Sequence, residues 1–413
     1  MLKRPDIAIL FTTRIVRLFC YGFLSVVLAL YLVQVGLTDR QIGLLFTLTL
    51  AGDAGITLWL TTSADRFGRR RTLLAGAVLM IAAGVAFILT ENLLLLMLAA
   101  IIGVISPSGN EIGPFLSVEQ ASLSQLIANE RRTSVFSWYN LAGSFATASG
   151  ALAGGWLSQF LQGAGISKLQ SYRSVLIGYA VGGVILFILF LILSKAIEIK
   201  PNPEGAPLIK RTLGLHKSRN IVFKLSALFS LDAFAGGLLV QSMMAFWFHI
   251  RFGLDPGLLG SIFFAANILA GFSALLAGRL AKRFGLINTM VFTHIPSNIL
   301  LILVPLMPSL PLAIAVLLMR FSISQMDVPT RQSYTMAVVS PDERSAAAGV
   351  TAIARSVGAA ISPSITGILI SVPILFSTPF FFSSGLKIIY DLLLYRSFRK
   401  MKPPEENEIR TSS

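Results

Sequence analysis

The chain has 413 residues, 54% of them hydrophobic and only 13% charged, with a mean hydropathy of +0.76. A soluble globular chain carries about a quarter charged residues, so a water-facing surface is excluded. The net charge of +15 does not mark a nucleic-acid binder, because the basic residues sit in short connections between apolar runs and not on one polar face.

In chain order, the opening Met1-Leu2-Lys3-Arg4-Pro5 resembles the basic region of a signal peptide. The apolar run behind it is too long and lacks a small-x-small cleavage site, so it is expected to remain as the first span. Runs of about twenty apolar residues, the length that crosses a hydrocarbon core roughly 30 Å thick, recur throughout. They predict helices near 7–34, 40–62, 72–90, 93–125, 133–160, 172–194, 221–250, 257–279, 286–305, 309–338, 345–371 and 375–395. The fourth is too long for one regular span and carries Pro107, Gly109 and Pro114, which predicts a kink or unwound turn. The polar stretch from Lys195 to Lys224, with Pro201, Pro203 and Pro207, reads as a linker. The expected organisation is an all-α polytopic membrane protein of about twelve helices. A six-helix bundle over 1–194, a cytoplasmic linker over 195–220, a second bundle over 221–396 and a cytoplasmic tail over 397–413 make up the chain. The single cysteine, Cys20, allows no internal disulfide and reads as a packing residue.

Basic residues fix the expected orientation. Arg66, Arg69, Arg70 and Arg71 crowd the second connection, Arg131 and Arg132 the fourth, and Lys195, Lys200, Lys210, Arg211, Lys217, Arg219 and Lys224 the sixth. The positive-inside rule then puts the even-numbered connections and both termini in the cytoplasm. A multi-pass protein of a bacterial inner membrane is the expectation.

The halves repeat. Aligning Gly36-Leu37 with Gly253-Leu254 also brings Gly43 onto Gly260, Phe46 onto Phe263, and Ala64, Arg66, Phe67 and Gly68 onto Ala281, Arg283, Phe284 and Gly285. Further along, a slightly shorter offset superposes Gln120 on Gln332, Arg132 on Arg344 and Gly155 on Gly367. Two parallel repeats about an axis normal to the membrane imply a shared cavity near its midplane.

Asp65-Arg66-Phe67-Gly68-Arg69-Arg70-Arg71 resembles the signature connection between helices 2 and 3 of the major facilitator superfamily, and its echo stands at Gly278-Arg279-Leu280-Ala281-Lys282-Arg283-Phe284-Gly285. Thr61 replaces the first glycine of the pattern, which implies a looser helix 2 to helix 11 contact there. The resemblance implies that Asp65, Arg66, Gly68, Arg69 and Arg70 act as a conformational latch. Physically, Gly68 permits a tight turn, Asp65 can meet a helix N-terminus or a basic partner, and the arginines suit helix ends and lipid headgroups. Gly150-Ala151-Leu152-Ala153-Gly154-Gly155 in helix 5 is similar to the family's antiporter motif, with Ala151 in place of the proline. Helix 11 carries the counterpart Ser362-Pro363-Ser364-Ile365-Thr366-Gly367. With Gly358, these small residues let helices 5 and 11 approach closely. Ser108 stands in helix 4 where Arg320 stands in helix 10, and drug and proton exchangers of the family usually carry an arginine in helix 4.

An ionised side chain costs about 2.5–3.5 kcal/mol at the centre of an inserting helix, so buried charges are functional by default. The candidates for the solute or ion path are Arg14 and Arg17 in helix 1, Asp53 in helix 2, Glu111 and Glu119 with Gln120 in helix 4, and Asp232 in helix 7. Asp327, Arg331 and Gln332 in helix 10 and Arg355 in helix 11 complete the set. The resemblance implies that helices 1, 4, 7 and 10 line the path. Glu119 and Arg331 are repeat equivalents, each followed by a glutamine, and are expected to pair or to form a dipolar binding site. Asp53 and Glu111 are candidate proton carriers, since burial favours the protonated form, unless Arg14 or Arg17 holds one ionised. His249 and His294 are expected near outer helix ends, and Lys387 and Asp391 as a local pair four residues apart.

No Gly-x-Ser-x-Gly, phosphate-loop or His-Glu-x-x-His signature and no cysteine cluster occurs, so neither an enzyme, a metal site nor a cofactor is expected. The expected function is secondary transport of a small polar solute by a monomer in the lipid bilayer, driven by protons or another solute. The alternatives are a proton-coupled drug antiporter, or a sensor or assembly factor on the same fold.

Overall fold

The computed structural model describes residues 5–111, 115–127, 129–198, 216–340 and 343–401, and within them the side chains other than those of 61–66, 129–134 and 345. The expected linker residues 199–215, Pro114 and the tail beyond 401 lie outside these residues, as do the side chains of Asp65, Arg66, Arg131 and Arg132.

Among the described residues the chain is helical and forms no strand. Its α-helices fall into twelve spans. Eight are single helices: span 2 (Asp39–Phe67), span 3 (Arg69–Leu89), span 5 (Asn129–Gly163), span 6 (Lys168–Ile192), span 8 (Pro256–Phe284), span 9 (Leu286–Leu303), span 11 (Arg344–Ile370) and span 12 (Thr378–Phe398). The other four are broken. Span 1 is Pro5–Ser25 and Leu28–Gln34, span 4 is Leu93–Ile102 and Phe115–Leu126, span 7 is Arg219–Gly237 and Gln241–Phe252, and span 10 is Leu310–Phe321 and Asp327–Ala337. Eight stretches, Arg219–Phe252 among them, are long and apolar enough to cross a membrane. Exposed Leu89, Leu94, Phe160, Ile192, Phe292 and Ile374 would be a liability in water and suit a hydrocarbon solvent.

Two compact units emerge from the backbone contacts. One comprises Met1–Asn202, Val240–Ile268 and Pro363–Val372, the other Pro203–Leu239, Leu269–Ser362 and Pro373–Ser413. The segments 240–268 and 363–372 therefore pack with the first six spans, although they stand in the second half of the sequence. Glycines bring this about. A Cβ on Gly155 would lie 2.3 Å from the Pro256 carbonyl oxygen and 2.9 Å from Gly260 Cα, and one on Gly367 would lie 2.5 Å from the Asp39 oxygen and 2.9 Å from Gly43 Cα. These contacts join span 5 to span 8 and span 11 to span 2, and the repeat alignment interchanges them. Thr47 Oγ1 adds a hydrogen bond from the Ser364 N–H at 2.9 Å.

The remaining small residues of the two motifs face other neighbours. Gly150 and Gly154 press on span 1, where an added Cβ would meet the Phe19 and Phe23 oxygens at 2.0 and 2.1 Å, and Gly358 presses on the Ser230 oxygen of span 7 at 2.3 Å. The Pro363 carbonyl is the nearest atom to Gly43, at 2.5 Å from its built Cβ. Helices 5 and 11 thus approach spans 1, 2, 7 and 8.

The break in span 4 falls where Pro107 and Gly109 predict it, and Gly109 sits at φ +69°. Non-helical backbone in an apolar setting needs partners. Here the Tyr179 hydroxyl donates to the Val104 oxygen, and the Ser242 hydroxyl donates to the Pro107 and Ser25 oxygens at 2.7 and 2.6 Å. The Ser242 N–H reaches Pro107 O at 3.0 Å. The breaks of spans 1, 4 and 7 satisfy one another.

Candidate functional site

In the first unit, span 1 supplies Arg14 and Arg17 one turn apart on a buried face, and the two parts of span 4 bring Glu111 and Glu119 against them. Arg17 is fully buried and uses its whole fork. Its Nε donates to Glu111 Oε1 at 2.6 Å, and Nη1 and Nη2 donate to the two Glu119 oxygens at 2.8 and 2.7 Å. Arg14 donates to Glu111 Oε2 at 2.9 Å and to Asn140 Oδ1 at 3.3 Å, and lies 4.3 Å over the Tyr139 ring. Thr13 and the Tyr139 hydroxyl complete the donors to Glu119, the former at 2.7 Å. Two guanidiniums face two carboxylates, so the cluster is neutral.

In the second unit Asp232 of span 7 is the hub. Its Oδ2 accepts from Arg331 at 3.0 Å and lies 3.6 Å from Arg355, while Oδ1 accepts from Lys387 at 3.1 Å. Arg331 also holds Asp327, one turn earlier in span 10, at 3.0 Å. His294 of span 9 meets Asp391 of span 12 at 2.9 Å.

Several expectations are corrected by this geometry. Glu119 and Arg331 are each satisfied inside their own cluster, by Arg17 and by Asp232 with Asp327, so the expected pairing between them gives way. Gln120 is half-buried and Gln332 exposed, and neither side chain joins a cluster. Glu111 is held by two arginines, the arrangement expected to keep it ionised. Lys387 and Asp391 turn to Asp232 and His294 and not to each other, because each finds a closer charge on a neighbouring span. His294 is buried at 4% exposure, whereas His249 stays at a helix end, with Nδ1 2.6 Å from the Leu254 oxygen. Asp53 is half-buried and accepts from Thr57 at 3.2 Å. Lys387, His294, Tyr139 and Thr13 are site members that the sequence reading left out. His294 and Lys387 carried a signal, since each is a polar group inside an apolar run.

The signature connection closes on its own half. Gly68 takes φ +97°, and Glu198 caps the span that follows by accepting from the N–H groups of Arg69 and Arg70 at 2.8 and 3.1 Å. Arg69 reaches Gln125 and the Ile197 oxygen at 2.9 and 3.1 Å. Arg70 covers the last carbonyls of span 6, those of Phe190 and Leu191. Gly285, the repeat equivalent of Gly68, also sits at positive φ, +86°.

Paired charges buried among broken apolar helices mark a polytopic membrane protein with a polar interior. The profile described as Major Facilitator Superfamily matches residues 10–363, and the chain belongs to that family of transporters. It is 31% identical, over 94% of its length and 93% of the relative's, to the Saccharomyces cerevisiae protein named Uncharacterized membrane protein YJR124C. Among solved structures it resembles a bacterial homologue of the human lysosomal transporter Spinster in an inward-facing, occupied conformation (TM-score 0.71, 18% identity, 96% of this chain and 98% of that one). It also resembles the nucleoside transporter NupG (0.70, 14%, 96% and 99%) and a D-xylose-proton symporter (0.70, 14%, 97% and 98%). At these identities the likeness is one of fold.

Proposed function

We propose that the chain is a secondary carrier for a small polar solute, working by alternating access with both termini in the cytoplasm and driven by a proton or solute gradient. One observation carries the reading: spans 1, 4, 7 and 10 are all interrupted, and they hold most of the buried charge. Interrupted helices in a bilayer are tolerated where they are buried in protein or line a wet cavity, and such sites serve substrate and coupling ions. The halves 1–194 and 221–396 are the moving bodies. The glycine contacts of spans 2 with 11 and 5 with 8 form the side that closes, and the linker contacts of Gly68, Arg69 and Arg70 brace the opposite end of the first half. Among the charges of the two clusters, Arg355, Glu111 and Lys387 keep the most exposed faces. Mixed charge favours a zwitterionic or anionic organic solute over an apolar drug, and Ser108 in place of an arginine in span 4 argues the same way. The bacterial inner membrane is not carried forward, since the relative of substantial identity is a yeast protein.

The test is uptake into proteoliposomes of a radiolabelled panel comprising amino acids, carboxylic acids, uridine, D-xylose and a lipophilic cation drug. Accumulation of at least one polar solute above protein-free vesicles is expected. Transport of the drug alone, or of nothing while the protein remains folded, would overturn the reading.

A further inference from the structure

Spans 9 and 12 carry a buried polar network. His294 Nδ1 lies 2.9 Å from Asp391 Oδ1, and Asn298 Nδ2 donates to Asp391 Oδ2 at 3.4 Å. The other imidazole nitrogen, Nε2, lies 4.0 Å from Asp232 Oδ1, the same oxygen that Lys387 holds at 3.1 Å. The surrounding spans 7, 9 and 12 also contain buried polar atoms with no partner: Ser226 Oγ, Ser297 Oγ, Asn298 Oδ1 and Ser384 Oγ. Their residues are at most 6% exposed. Since about nine in ten buried polar atoms are satisfied, unpartnered groups gathered on the elements around one imidazole mark a place built for exchangeable hydrogen bonds.

We propose that His294 is a reversible proton-binding site, oriented by Asp391 and read out by Asp232. This deepens the carrier reading and rests on it for the word coupling, but proton binding itself does not. Asp391 accepts the Nδ1 proton in both states. The added proton comes from water, bonds to the Nε2 lone pair facing Asp232, and returns to water on release. Without it the charges of the cluster that His294 joins through Asp391 and Asp232 balance: Asp232 (span 7), Asp327 (span 10) and Asp391 (span 12) against Arg331 (span 10), Arg355 (span 11) and Lys387 (span 12). Tyr390 stands edge-on at 6.1 Å, and among the described residues Arg320 Nε of span 10 has no hydrogen-bond partner. The proton adds an uncompensated positive charge, so imidazolium and ammonium compete for one oxygen of Asp232. Lys387 lies against Gly236, beside the break at 238–240, with Nζ 3.7 Å from a Cβ built there. Proton occupancy therefore acts on the point where span 7 is discontinuous.

The chain has three histidines, so the double variant His216→Asn with His249→Asn leaves His294 alone for nitrogen NMR of the imidazole in full-length protein. The imidazole nitrogens are followed between about pH 5 and 8, where a reversible change between the neutral and the protonated signal is expected, with Lys387→Met altering the pH at which it occurs. An imidazole fixed in one charge state over that range would overturn the site, as would a midpoint that follows sodium concentration or ignores Lys387→Met. The readout needs no solute. Titration without uptake of any panel solute would leave the proton site standing and remove the carrier reading, whereas uptake with a non-titrating His294 would do the reverse.

Discussion

Glu119 accepts four hydrogen bonds from three side chains, so its role is to hold spans 1, 4 and 5 together. Glu119→Gln is expected to destabilise the protein by about 3–5 kcal/mol, because Arg17 would remain buried with half its charge uncompensated. Thermal unfolding in detergent measures this, and a combined Arg17→Met, Glu119→Met variant should recover part of the loss. Glu343 does similar work outside the spans. Its carboxylate accepts from the N–H groups of His216, Lys217 and Ser218 just before span 7, the latter two at 2.8 Å. Burial acts to raise its pKa, but these hydrogen bonds, with one from the Ser218 side chain, outweigh it and hold the group at about 2. A depressed carboxyl stabilises above its unfolded pKa and loses that contribution as pH falls through the folded one. The difference in melting temperature between wild type and Glu343→Gln should therefore be full near neutrality and shrink between about pH 4.5 and 2. The buried charges themselves were legible, since a charge inside an apolar run is conspicuous. Their pairing was not, because which of several carboxylates an arginine meets depends on helix rotation and on neighbours such as Asn140 and Tyr139.

Helix ends followed the apolar runs closely, and the break in span 4 followed Pro107 and Gly109. Gly236-Gly237 stands just before the break at 238–240 and Pro329 just after that at 322–326, whereas the break at Val26-Val27 has neither proline nor glycine beside it and local propensity gives no warning of it. Tertiary hydrogen bonds compensate the lost helical ones. Ser242 serves the break of span 4, and the Gln325 N–H reaches Ser273 Oγ at 3.2 Å. Ser242→Ala removes the hydroxyl donor to the Ser25 oxygen, while the Pro107 oxygen keeps the Ser242 N–H, and is expected to cost about 1–3 kcal/mol, checked by thermal unfolding. Gly155→Val puts side-chain atoms into the Pro256–Gly260 backbone of span 8 and should abolish net uptake by proteoliposomes while leaving folded yield largely intact, if that contact forms only during part of the cycle.

At the scale of the molecule, the alternating access proposed above would open and close the span 2 to span 11 contact. Thr47 Oγ1 and Ser364 Oγ stand 2.8 Å apart, so cysteines at both positions should form a disulfide on mild oxidation. Uptake is expected to fall to the protein-free level when the bond forms and to return on reduction. Cys20, buried in span 1, should take no part. Unaltered uptake by the cross-linked protein would mean that this contact is permanent and does not gate.

Composition and the length of the apolar runs were enough to specify helices and the membrane as solvent, because hydrocarbon leaves the backbone almost no other way to satisfy itself. The signature at Gly68 to Arg71 was enough to point to the family. Only the tertiary structure decided that Arg17 belongs to Glu119, that Asp232 gathers three cations, that His294 is buried beside Asp391, and that 240–268 and 363–372 pack with the first half. Each depends on the rotation and close approach of helices distant in sequence, and one residue of rotation, about 100° around a helix, changes which partner a charged side chain can reach.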